Sequence, residues 1–129
     1  MTPRLDLIGL VAHDMAASLG FYRRLGLEIP DGAESEAHVE ATLPGGLRVA
    51  WDTVEVMQSF DPGWTAPAGG AAFSLAFLVE SPAEVDSLYA ELTGAGYTGH
   101  LDPWDAFWGQ RYAVVKDPDG NDVALFAAL

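Results

Sequence analysis

The chain of 129 residues carries 6 Lys and Arg against 19 Asp and Glu, a formal charge of −13 that repels nucleic acid and anionic membranes and attracts cationic partners. It has no cysteine, which excludes a disulfide framework and thiolate metal sites and suits one compact domain. No uninterrupted apolar stretch is long enough to span a bilayer, and no charged segment runs into a long apolar one, so a cytoplasmic protein is expected.

Residues 5–12 are apolar on both parities, as a strand covered on both faces would be. Asp14 sits where a helix N-cap belongs, Met15, Leu19, Tyr22 and Leu25 make one apolar stripe, and Gly26 supplies the stop. Short β-like runs follow at 27–29, 37–43 and 47–56, with Pro44-Gly45-Gly46 as the turn between the last two, which completes a βαβββ module over about residues 4–56. Residues 57–72 read as a connector, because Pro62, Gly63, Pro67, Gly69 and Gly70 break any regular period; Phe60 and Trp64 stand among them.

From Phe73 the order repeats. Residues 73–80 form an apolar strand, Ser81-Pro82 is an N-cap with Pro in the first turn, and Val85, Leu88, Tyr89 and Leu92 are a buried stripe ahead of Gly94 and Gly96. A shift of 67 residues lays Asp14 on Ser81, Tyr22 on Tyr89 and Leu25 on Leu92, an internal duplication. The second module, about residues 73–129, ends in a β-hairpin of 111–116 and 122–126 around Asp117-Pro118-Asp119-Gly120-Asn121. In that turn Pro118 presets φ, Asp119 can bond nearby backbone and Gly120 can take positive φ. A module of about 55 residues buries too little of its surface alone, so the two are expected to share a sheet in one α+β domain.

The segments DMAASLGFYRRLGLE and WGQRYAVVKDPDGN resemble the vicinal oxygen chelate superfamily of glyoxalase, bleomycin-resistance and dioxygenase proteins, in its bleomycin-resistance-type antibiotic-binding version. The resemblance implies two tandem βαβββ modules forming curved mixed sheets around a cup, completed in a domain-swapped homodimer. It also implies a divalent-metal site on the first and last strands of each module. Carried onto this chain, three ligand positions fall on Leu7, Ser74 and Ala124; the fourth lies on 47–56 in an unfixed register, with Trp51 one occupant. Leucine and alanine cannot ligate and a lone serine is a poor ligand, so neither a metal nor a cofactor is expected. The family's inward positions carry over to Leu7, Gly9 and Val11, to Ser74, Ala76 and Leu78, and to Asp122, Ala124 and Phe126, mostly small and apolar, which leaves volume for a large planar guest.

Glu36, His38 and Glu40 fall at period two and offer a rebuilt metal set, against the reading of a polar solvent face, since ligands on one straight strand diverge. His13 and His100 stand alone and read as backbone caps. No Ser-His-Asp set can be proposed, the single Lys116 offers little for Schiff-base work, and neither Gly69-Gly70 nor Gly94-Ala95-Gly96 is a phosphate loop. All four tryptophans lie outside the expected helices, and Trp64 and Trp104 stand near prolines in loop-like sequence where rings can stack on a guest. Asp52, Asp105 and Asp122 can receive a cationic group; Gln110 and Arg111 can hydrogen-bond a carbonyl or phenol, unless Arg111 pairs with Asp117 or Asp119.

The expected ligand-binding set is therefore His38, Trp51, Asp52, Phe60, Trp64, Trp104, Phe107, Trp108, Gln110 and Tyr112, with no catalytic residue. The expected function is non-catalytic sequestration of a bulky aromatic natural-product antibiotic of bleomycin, mitomycin or enediyne type, giving self-resistance. A superfamily enzyme with a displaced or absent metal site is the alternative, and a ligand-free structural or regulatory protein a third possibility.

Overall fold

One helix laid against one face of a small sheet organises each half of this α+β chain. The computed structural model describes residues 2–68 and 73–129, in two compact units, Met1–Ala68 and Gly69–Leu129. The Gly69-Gly70 break expected in the connector lies outside the described residues.

In the first unit β1 (Leu7–Ala12) leads into α1 (Met15–Arg24), then β2 (His38–Thr42), β3 (Arg48–Thr53) and α2 (Val54–Phe60). Strand order is β1-β3-β2, with β1 parallel and β2 antiparallel to β3. Asp14 caps α1 as expected, its carboxylate accepting from the Ala17 amide at 3.0 Å, and Gly26 takes a φ of 91° just past the end. The helix buries Met15, Ser18, Leu19, Phe21 and Tyr22. Trp51 is fully buried beneath it, with the Tyr22 and Trp51 ring centroids 5.6 Å apart.

Two expectations for this unit are corrected. Residues 27–29 form no strand: Ile29 is buried in a loop, and the Pro30 carbonyl accepts from the Arg23 guanidinium at 2.6 Å instead of from a neighbouring strand. Residues 54–56, expected to continue a strand, instead open α2, because the Thr53 hydroxyl accepts from the Val56 amide at 3.3 Å and caps a helix. The first unit is thus βαββα, not βαβββ.

The second unit is the expected βαβββ: β4 (Ser74–Leu78), α3 (Pro82–Gly94), β5 (Gly99–Ala106), β6 (Gln110–Lys116) and β7 (Asp122–Ala128). Strand order is β4-β7-β6-β5, with β4 parallel to β7 and the other pairs antiparallel. Ser81 caps α3 with Pro82 in its first turn, and the Glu84 side chain reaches back to the Glu80 amide at 2.8 Å. Edge strand β5 shifts register twice along β6, which lets it carry Pro103 without breaking the sheet. Ala113, Val115, Val123 and Leu125 are fully buried and, with Val85 and Leu92 of α3, form this unit's core. Among the described residues no helix is long and apolar enough to cross a membrane.

The turn between β6 and β7 is held by Asp117. Asp117 is buried; one carboxylate oxygen accepts from the amides of Asp119 at 2.9 Å and Asn121 at 2.8 Å, and the other accepts from the Asn121 side chain at 2.8 Å. Gly120 takes the required positive φ of 85°. Asp117→Ala leaves these donors without their acceptor, so we expect it to cost about 2–3 kcal/mol. A urea midpoint that falls at unchanged slope would show this, and a midpoint equal to that of the parent would refute it.

Candidate functional site

Side chains alternate across a sheet, so the parity that α3 covers leaves the opposite parity of β4, β6 and β7 on the other face, which is open at its two ends and buried at Val114 and Ala124 between them. Register places Leu78 beside Phe126, Phe126 beside Tyr112, and Tyr112 beside Trp104. Rings fill this end. Trp104 and Tyr112 meet edge to face at a centroid distance of 5.5 Å, Trp108 and Tyr112 at 5.2 Å, Trp104 and Trp108 at 6.0 Å, and Phe107 and Trp108 at 5.0 Å. Phe126 lies 6.3 Å from Tyr112.

The cluster is held where β5 turns into β6. Gly109, with a φ of 91°, closes the tight turn that carries Phe107 and Trp108, and the Trp108 indole N–H donates to the Gln110 side-chain oxygen at 2.8 Å. Phe107 is 97% exposed and Trp108 47%, so ring faces that edge-to-face packing leaves free are open to solvent.

In the first unit the open face carries charge. His38 bonds Asp52 through Nδ1 at 2.5 Å and Glu40 through Nε2 at 2.7 Å; Arg48 then joins Glu40 at 2.8 Å to Asp6 at 2.5 Å. A neutral imidazole has one N–H, and here both ring nitrogens face carboxylate oxygens, so the geometry fits the imidazolium. Hydrogen bonds first to Glu40 and then to Asp52 raise the His38 pKa, and His38 and Arg48 hold Glu40 below the usual carboxylate range. Arg48 likewise lowers Asp6.

The structure brings Trp104, Phe107, Trp108, Gln110 and Tyr112 together in the second unit and His38 with Asp52 in the first. Trp51 is corrected: odd residues of β3 face α1, so it is core and lines no ligand face. Trp104 lies on β5 and not in a loop, Phe60 is the exposed last residue of α2, and Trp64 follows it with its carbonyl 3.4 Å from the Gln58 amide. Arg111 pairs with Asp86 at 3.0 Å and Asp105 at 3.1 Å, not with Asp117 or Asp119. Glu36 precedes β2, so it does not join His38 and Glu40; Asp52 from the next strand takes the third place. Four residues outside the expected ligand set, Phe126, Glu40, Arg48 and Asp6, complete these clusters. Phe126 had its signal in the period-two alternation of the last strand; Arg48 had none, because its partners lie on other strands.

An open groove of about 500 Å³ is lined by Arg23, Leu27, Glu28, Ile29, Pro30 and Asp31. Its guanidinium is already tied to Glu34 and to the Pro30 carbonyl, so the groove offers little to a guest.

A family model described as the glyoxalase/bleomycin resistance protein/dioxygenase superfamily matches residues 4–125. The chain belongs to this superfamily. Solved relatives share its fold: a glyoxalase/bleomycin resistance protein/dioxygenase family enzyme from Burkholderia phytofirmans is 21% identical with a TM-score of 0.83, covering 98% of this chain and 100% of its own. A glyoxalase/bleomycin resistance protein/dioxygenase from Nocardioides is 25% identical with a TM-score of 0.77, covering 100% of this chain and 85% of its own. A glyoxalase-related enzyme from Fulvimarina pelagi is 23% identical with a TM-score of 0.80, over 98% of this chain and 88% of its own. No curated protein matches the chain.

The superfamily's metal does not fit the donor set of this chain. Ser74 pairs with Asp122 and Leu7 with Arg48; two residues further along each last strand stand Ala124 and, equivalently, Ala50. The four positions are thus Leu7, Ala50, Ser74 and Ala124, and three of these side chains have no donor atom. Among the described residues no group of three or more His, Cys, Asp or Glu is placed to hold a metal ion.

His38 has a folded pKa raised above 6.5, so its stabilising effect is complete below about pH 6.5 and is lost as pH rises through the folded value. We expect His38→Gln to lower the urea midpoint more at about pH 6 than at about pH 9. A gap between variant and parent that stays constant or widens with pH would show that the imidazolium contributes nothing.

Proposed function

We propose that this protein binds and sequesters a bulky planar aromatic guest of the natural-product antibiotic class and makes or breaks no bond. The observation that carries the reading is the cluster of Trp104, Phe107, Trp108, Tyr112 and Phe126, five rings in contact on one unit with two of them well exposed. Rings packed edge to face are already ordered, so a planar guest that stacks on them costs little further side-chain entropy. The formal charge of −13 favours a cationic guest over an anionic one. Non-donor side chains at the superfamily's metal positions support binding over metal-assisted chemistry. Protection would come from mass action, so protein must match drug in concentration.

A superfamily enzyme with a displaced site is the second reading, and His38 between Glu40 and Asp52 is the observation that favours it, since an imidazolium with two carboxylates is an acid-base set. The two readings part on the fate of the guest.

Tryptophan fluorescence of EDTA-treated protein titrated with bleomycin, mitomycin and anthraquinone-type compounds is expected to show saturable quenching at about one guest per chain, with the guest recovered unchanged. Trp108→Ala is expected to weaken binding about tenfold through loss of one stacking face. A guest recovered chemically altered would establish the enzyme reading, and the absence of quenching by every compound would end the sequestration reading.

A further inference from the structure

The open face of the second unit has two unlike ends. At the end nearest the β5–β6 turn lies the aromatic row Leu78, Phe126, Tyr112 and Trp104. The next row is Ala76, Ala124, Val114 and Leu101; Ala76 and Leu101 are exposed, and Ala124 and Val114 between them are buried. The third row, at the end nearest the β6–β7 turn, is Ser74, Asp122 and Lys116.

Each row is two residues from the next, and a strand advances about 3.3 Å per residue, so the aromatic and polar rows stand about 13 Å apart. The rows follow from backbone register, and side-chain contacts verify the face at both ends: the rings meet at one, and the Lys116 ammonium bonds the Asp122 carboxylate at the other.

The polar row can both donate and accept. A lysine ammonium has three N–H donors, of which Asp122 takes one, and a carboxylate oxygen accepts from more than one donor. The two side chains are 27% and 25% exposed, and Ser74 opposite Asp122 is exposed, so a guest can reach all three. Because Lys116 and Asp122 neutralise each other, the row matches a neutral group with one donor and one acceptor better than an ion. Lys116 is the sole lysine of a chain with 19 acidic residues, and β6 places it on this face.

We propose that this face takes a guest with a planar aryl group at one end and a carboxamide-type group about 13 Å away, spanning the distance between the aromatic and polar rows. The inference rests on the sequestration reading and adds to it the shape and polarity of the guest.

The test uses a planar acridinium dye, alone and joined to a primary carboxamide through alkyl tethers of graded length, titrated against the whole protein by tryptophan quenching. We expect one tether length, near about 13 Å, to bind at least about tenfold more tightly than the plain dye, with shorter and longer tethers weaker. In Lys116→Met and, separately, in the isosteric Asp122→Asn, the ratio of tethered to plain affinity is expected to fall to near one. Near-ultraviolet circular dichroism confirms that each variant remains folded.

If the plain dye binds and no tether length gains affinity, or if the gain survives in both variants, the Lys116–Asp122 bond is a strand-pairing contact only and the two-ended guest is overturned while sequestration stands. If neither the dye nor any tethered form quenches, the sequestration reading falls and this inference falls with it.

Discussion

The register of β6 against β7 is the constraint on which the second unit depends, and buried Asp117 holds it. With a side-chain period of two, a slip by one residue would turn Tyr112 and Val114 toward the helix and Ala113 and Val115 toward solvent. The turn leaves little room for such a slip, because the Asp117 carboxylate collects the amides of Asp119 and Asn121 and the Asn121 side chain at once. The core and the face opposite α3 are therefore two consequences of one turn. Ala113 and Val115, at odd positions of β6, fill the core under α3, and Tyr112 and Lys116 occupy even ones.

The two halves keep the same pattern under their helices. Tyr22 of α1 and Val85 and Leu92 of α3 are all fully buried, so each helix still covers its own sheet. The open faces differ. One carries the line Asp52, His38, Glu40, Arg48 and Asp6, the other a cluster of rings and one lysine-carboxylate pair. Burial of the helix side tolerates little change in size or polarity, whereas exposed pairs on the open side contribute about 0–1 kcal/mol each.

What could be read from the sequence was what local chemistry decides. Asp14 and Ser81 announce their helices, Gly26 and Gly120 their turns, and alternation along 111–116 and 122–126 announces the final hairpin and, with it, the face that bears Tyr112 and Phe126. What failed depended on partners distant in sequence. Residues 27–29 have strand-like composition, but Arg23 claims the carbonyl of Pro30; Trp51 could be assigned to a face only once β3 was paired on both sides. Arg111 found Asp86 on a helix and Asp105 on a neighbouring strand in preference to the acidic turn close by in sequence. Thr53 was a local signal overlooked, a side chain that ends a strand by starting a helix.

A wall of rings bears on the choice between binding and turnover for a physical reason. Stacking and apolar contact hold a ground state and a transition state about equally, because neither depends on charge that develops during a reaction, and uniform binding of that kind lowers the dissociation constant without lowering the barrier. Acceleration needs groups aimed at developing charge, such as a metal ion, a positioned base or a set of N–H donors. On the second unit the amide of Gln110 beside the rings already receives the Trp108 N–H, and the Lys116–Asp122 pair, about 13 Å from the rings, is internally neutralised. Such a face favours affinity over rate. The acid-base geometry of this chain is concentrated instead at His38, where both ring nitrogens are engaged by carboxylates, so any proton it transfers must first leave one of two charge-assisted bonds.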